Sequence, residues 1–190
     1  MRCFVAAWPS AEVVAALACL PRPENKRLRW SIEDQWHVTL RFFGELSPVQ
    51  VDEAGAALTE VAQGLPGDLT ARGGPATRFL GPGLLIWPVD GLGPAAAPVG
   101  RATAHIGQPV PDRPFIGHVT IARGARGADL RQVPHLLSSL SASWPVSSLA
   151  LVHSQLGAGG ARYRDIYTFP LGLRPPAGPP GPSPDQPGPT

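Results

Sequence analysis

One short pattern occurs twice in this chain, and it limits what the chain can become. His37-Val38-Thr39-Leu40 and His118-Val119-Thr120-Ile121 both read histidine, apolar, threonine, apolar. Side chains of a β-strand alternate between faces. Each copy therefore puts an imidazole and a hydroxyl on one face and anchors the other face in a core. With five histidines and 43% hydrophobic residues, composition predicts about 0.1 such four-residue patterns per chain. Two copies in similar flanks are far outside that expectation and point to a paired site.

Length and charge set the frame. At 190 residues the expectation is one domain, or two small lobes of one architecture. A net charge of +2 with Lys26 as the sole lysine permits an anionic ligand without demanding a nucleic-acid track. Cys3 and Cys19 lie in no zinc-like spacing and make no disulfide framework, which fits a reducing compartment. No signal peptide is visible and no window approaches 18 apolar residues, so no membrane association is expected and the cytoplasm is the default location.

The first strand is read from Arg2 to Trp8, followed by a helix capped by Ser10 and running to about Leu20. Arg22 to Arg29 reads as a solvated loop or as a basic edge that meets phosphates, and Leu28 to Ile32 as a short strand. The first His-Thr strand spans Trp36 to Phe43, with alternation placing Arg41 and Phe43 on the face of His37 and Thr39. Ser47-Pro48-Val49-Gln50 is a capping box that opens a helix to about Gln63, closed by a left-handed Gly64. Strands are expected at Asp68 to Arg72 and Phe79 to Val89, then a helix to Ile106 and Gly107 whose start is blurred by Pro94 and Pro98. The second His-Thr strand covers Phe115 to Arg123. By alternation Arg123 falls on the Val119 face unless the strand bulges. A turn at Gly124 to Gly127, a short helix near Pro134 to Leu140, and strands at Trp144 to Ser154 and Ala161 to Phe169 complete a body of residues 1–173. Residues 174–190 form a Pro/Gly-rich tail read as disordered. His105, His135 and His153 are read as structural, and no metal or other cofactor is expected. Strand, helix, His-x-Thr strand, helix recurs in both halves, which suggests an α+β fold with antiparallel sheets.

With the flanks RLRWSIEDQWHVTLRFFGEL, DRPFIGHVTIAR and LGAGGARY, the paired motifs resemble the two-histidine phosphoesterase superfamily. The similarity is strongest to its RNA 2′,3′-cyclic phosphodiesterases, the 2′-5′ RNA ligase family. Gly117 stands where proline is frequent, and Pro94 and Pro98 disturb an expected helix; neither departure touches the motif side chains. The resemblance implies a bilobal, pseudo-twofold molecule whose antiparallel sheets face each other across a central groove with helices outside. It implies hydrolysis of an RNA 3′-terminal 2′,3′-cyclic phosphate to a 2′-phosphomonoester, with RNA or a cyclic nucleotide as partner and the protein a monomer. It also implies His37 as proton donor and His118 as proton acceptor, while the residues alone would allow the reverse. Thr39 and Thr120 suit hydrogen bonds to phosphoryl oxygens, and Arg41, Arg123 and Tyr163 are candidate substrate contacts. The same residues would serve 2′-5′ RNA ligation, the reverse reaction, or a non-catalytic nucleotide-binding groove.

Overall fold

The computed structural model describes residues 1–125, 128–132, 136–157 and 160–172. His135 and the expected tail at 174–190 lie outside them. Among the described residues are strands β1 (Arg2–Ala7), β2 (Leu28–Trp30), β3 (Val38–Glu45), β4 (Thr70–Gly73) and β5 (Arg78–Phe79). Then come β6 (Leu84–Asp90), β7 (His118–Gly124), β8 (Ala142–Pro145), β9 (Ser148–Gly157) and β10 (Gly160–Pro170). The helices are α1 (Ala11–Ala18), α2 (Pro48–Gly64) and α3 (Gly93–Ala102).

All strand pairs are antiparallel, in the order β10-β9-β1-β3-β7-β6-β4-β8, with β2 added beside β7 and β5 beside β6. The sheet curls into a half-barrel of the expected α+β class. Its two halves meet at β3 and β7 through a single registered pair, Val38 with Val119. Both valines are fully buried in the main core. Because the pair is antiparallel, His37 falls beside Thr120 and Thr39 beside His118. In a regular ladder such opposed residues stand about 5 Å apart, and the diagonal pair His37 and His118 about 7–8 Å.

The helices cover the face to which Val5, Val38 and Val119 point. Ser10 accepts a hydrogen bond from the Val13 amide, and α1 buries Val13 and Leu17. Ser47 and Gln50 form the reciprocal box that starts α2, with bonds of 3.3 and 3.0 Å. Gly64 remains helical and Leu65 turns extended, against the expected left-handed glycine. Pro66 explains this, since the residue before proline avoids the α region. Helix α3 ends at Ala102 and not at Gly107. Past it, the carbonyls of Ile106, Gln108 and Pro109 turn toward the Arg41 guanidinium.

Residues 136–140 make no helix. Leu140 bonds Pro75, Ser138 exchanges bonds with Thr77, and Ser139 bridges Ala76, so tethering to residues 75–77 replaces helical bonds. The expected strand from Trp144 to Ser154 is two strands serving opposite halves, β8 on β4 and β9 on β1 and β10. Pro145 lacks the amide to continue the ladder. Trp87 and Trp144 stack at 6.0 Å in one half. Gly73 is required beside them, because a Cβ there would lie 2.1 Å from the Trp87 ring.

Candidate functional site

Both histidines are held in the same way. His37 Nδ1 donates to the Gln35 carbonyl and His118 Nδ1 to the Ile116 carbonyl, each at 2.8 Å and each two residues upstream. A carbonyl only accepts, so Nδ1 carries the proton in the neutral ring. That leaves both Nε2 atoms for the groove. Gln35 is itself fixed, since its side-chain amide donates to the Ala161 carbonyl at 2.8 Å.

Directly after each His-x-Thr comes a β-bulge. Along β3, Thr39 pairs with Ala6 and Arg41 with Val5, which leaves Leu40 as the extra residue. Along β7, Thr120 pairs with Ile86 and Ala122 with Leu85, which leaves Ile121 as the extra residue. A bulge inserts one residue and so reverses the alternation beyond it. The fourth residue of each motif, read as an inward anchor, is thus also the point where the strand changes face.

Two concavities flank the motifs and share Thr39 and Phe42. One, of about 360 Å³, holds His37, Thr120, Arg123 and Tyr163 together with Arg2 and Arg29. The other, of about 590 Å³, holds His118 and is walled mainly by small and apolar residues of α3 and of residues 109–116.

The electrostatics differ on the two sides. His37 packs among Phe4 (4.6 Å between centroids), Tyr163 (5.0 Å) and Trp8 (5.6 Å). Burial pulls its pKa down to about 4; the Gln35 carbonyl opposes the shift, and the charges of Arg123 and His118 add to it. Burial also lowers the His118 pKa, with Arg123, Arg78 and Arg113 acting in the same direction. Both shifts favour the neutral imidazole near pH 7, whereas a neighbouring anion favours the protonated one.

Two imidazoles, each on the same scaffold, thus stand on one seam. Residues 9–74 match the family model described as LigT like Phosphoesterase, which covers the first motif. A protein of Thermus thermophilus shares the fold at a TM-score of 0.77 with 27% identity, over 90% of this chain and 98% of that one. Escherichia coli LigT, solved in complex with 3′-AMP, matches at a TM-score of 0.72 with 25% identity, over 90% and 97%. No curated protein matches in sequence. The chain thus carries a LigT-like phosphoesterase match over its first motif and shares the fold of Escherichia coli LigT.

His37, Thr39, His118 and Thr120 come together at the seam; Tyr163 and Arg123 join His37, Thr39 and Thr120 in the smaller concavity, and His118 lines the larger one. Arg123 reaches that face because of the Ile121 bulge. Arg41 is a correction. The Leu40 bulge turns it to the Val5 side, where it is 3% exposed. Its guanidinium donates to the carbonyls of Phe42 (2.8 Å), Ile106 (3.1 Å), Pro109 (3.4 Å) and Gln108. Although Arg41 borders the apolar concavity, its Nη atoms are committed to the fold.

Phe43 follows Arg41 into the core, and Phe42, opposite Phe4, takes the groove position. Phe4, Trp8, Gln35, Arg2 and Arg29 are site neighbours that the sequence did not single out. The basic run from Arg22 to Arg29 was the one signal that could have pointed to Arg29. The apolar stretch Cys3 to Trp8 gave no sign that Phe4 faces the groove.

Proposed function

We propose that this phosphoesterase hydrolyses the 2′,3′-cyclic phosphate at an RNA 3′ end to a 2′-phosphomonoester by metal-independent general acid–base catalysis. The observation that carries the reading is the pair of identically anchored imidazoles diagonal to each other across the Val38–Val119 seam. Water attacks phosphorus as His118 Nε2 takes its proton. The bond from phosphorus to O3′ breaks, and O3′ takes a proton from His37 Nε2. The proton numbers balance, and exchange with solvent returns each ring to its starting state. Thr39 and Thr120 donate hydrogen bonds to the non-bridging oxygens, where charge builds during transfer.

The assignment of His37 as acid is supported by charge. Arg2, Arg29 and Arg123 lie on its side of the groove, which suits a polyanionic chain, and the leaving oxygen belongs to the ribose of that chain. The bound anion raises the His37 pKa from its depressed value and so supplies the protonated acid. Escherichia coli LigT accommodates 3′-AMP, a ligand with the same nucleoside and phosphate chemistry. We further read the protein as a cytoplasmic monomer, in keeping with the free thiols of Cys3 and Cys19.

The direct test is to incubate an oligoribonucleotide ending in a 2′,3′-cyclic phosphate with the protein and a chelator, then identify the product by phosphorus NMR. A 2′-phosphate is expected. A 3′-phosphate, or turnover only after a divalent ion is restored, would overturn the reading.

A further inference from the structure

Strand β2 lies antiparallel to β7 with Arg29 directly opposite Arg123. Like charges in that position, about 5 Å apart, destabilise a sheet. Neither arginine forms an ion pair among the described residues. Arg2 borders the same concavity from β1 on the other half. Its register partner Glu45 pairs instead with the N-terminal amine at 3.3 Å, and the Arg2 guanidinium rests on the Phe42 ring at 4.6 Å. Room for Arg29 is built into the backbone. Gly160 has φ +112°, and a Cβ there would lie 2.9 Å from Arg29 Nη2.

Three guanidiniums exceed what the single negative charge of a cyclic phosphodiester calls for. They are also offset from the reacting centre. Arg2 lies two residues from Phe4, the ring that packs on His37, and two residues of strand span about 6.8 Å. That offset is of the order of the step between consecutive phosphates on a nucleotide chain.

Building on the phosphodiesterase reading above, we propose that Arg2 and Arg29, with Arg123 between them and the motifs, bind a second phosphate. This is the phosphate on the 5′ side of the terminal ribose. Arginine suits the role because its planar fork donates two parallel bonds to phosphate oxygens. The site then selects substrates that carry a phosphate at both ends of the terminal nucleoside.

The test compares adenosine 2′,3′-cyclic phosphate, its 5′-phosphorylated counterpart, and the dinucleotide with the same cyclic end. The kcat/KM should be about ten-fold or more higher for both phosphate-bearing substrates. In Arg29→Gln and in Arg2→Gln the advantage should shrink toward one, and Arg29→Lys should keep part of it. A gain for the 5′-monophosphate alone also supports the site and identifies free nucleotides as the source of the phosphate. A gain confined to the dinucleotide overturns the proposal, since the added nucleoside and not the phosphate would be read. An advantage that survives both glutamine variants overturns it as well.

A calorimetric arm needs no turnover. Adenosine 2′,5′-bisphosphate should bind about ten-fold tighter than adenosine 2′-phosphate, and Arg29→Gln should remove the difference. If no cyclic phosphate is turned over yet this difference appears, the hydrolase reading fails and the phosphate site stands. Equal binding of the two ligands sinks the site.

Discussion

The two motif strands use one device in two settings. On β3 and on β7 a histidine donates from Nδ1 to the carbonyl two residues back, a threonine follows on the same face, and a bulge comes next. The residues after the bulge then diverge. On β3 they are Arg41, buried under the carbonyls of 106–109, and Phe42, on which Arg2 rests. On β7 they are Ala122, fully buried, and Arg123, exposed to the groove. His37 lies among aromatic rings, and His118 among arginines. The repeated part sets where the two Nε2 atoms stand, and the divergent part gives them different surroundings.

The largest effect expected tests the repeated part. His37→Ala and His118→Ala should each lower kcat at least about 10²-fold, with the double variant little worse than either, because coupled groups are non-additive. Near wild-type turnover in both single variants would dissolve the pairing. A substrate with a much better leaving group at O3′ should rescue His37→Ala and not His118→Ala; the opposite result would exchange the roles.

Next, Arg41→Ala should lower stability by about 3 kcal/mol, read from the urea midpoint, since it strips several carbonyls of their donor. A loss of activity in the still-folded variant with no loss of stability would return Arg41 to the substrate.

The aromatic setting of His37 has a consequence for pH. Its folded pKa of about 4 lies below the ordinary 6.5, so the unfolded chain binds more protons between those values. Stability contributed by the neutral ring is therefore full above about pH 6.5 and is lost as pH falls toward 4. The total is at most about 3–4 kcal/mol. Replacing His37 with Gln should flatten that part of the stability-versus-pH curve more than replacing His118. An unchanged slope would show that the rings around His37 do not exclude water.

The smallest effect is expected at the hydroxyls. Thr39→Ala and Thr120→Ala should each cost about ten-fold in kcat, less than either histidine and similar to each other. A wide gap between them would show that the phosphate sits off the seam.

The site's centre was legible because period-two alternation holds up to Thr39 and Thr120. It stopped being legible one residue later. Leu40 and Ile121 look like ordinary inward residues, and nothing in their chemistry marks them as bulged. The strand rule therefore sent Arg41 to the groove and Arg123 to the core, the reverse of their places. The Ser47 capping box was readable because it is local, whereas residues 136–140 follow long-range bonds to 75–77 that no local signal announces. The α+β class followed from the alternation of elements, but not the joining of both halves through Val38 and Val119.

That join has a mechanical meaning. Like the spine of an open book, one residue pair carries the sheet from one half to the other, and the shared core and the Arg41 bonds to the segment after α3 brace it. His37 and His118 are each one residue from the spine, so their spacing is set by that one pair. Arg2, on the β1 side, and Arg29, on the β2 side, lie farther out on opposite covers. The two imidazoles thus stand where the halves are fastened together, and the guanidiniums of Arg2 and Arg29 stand away from that line.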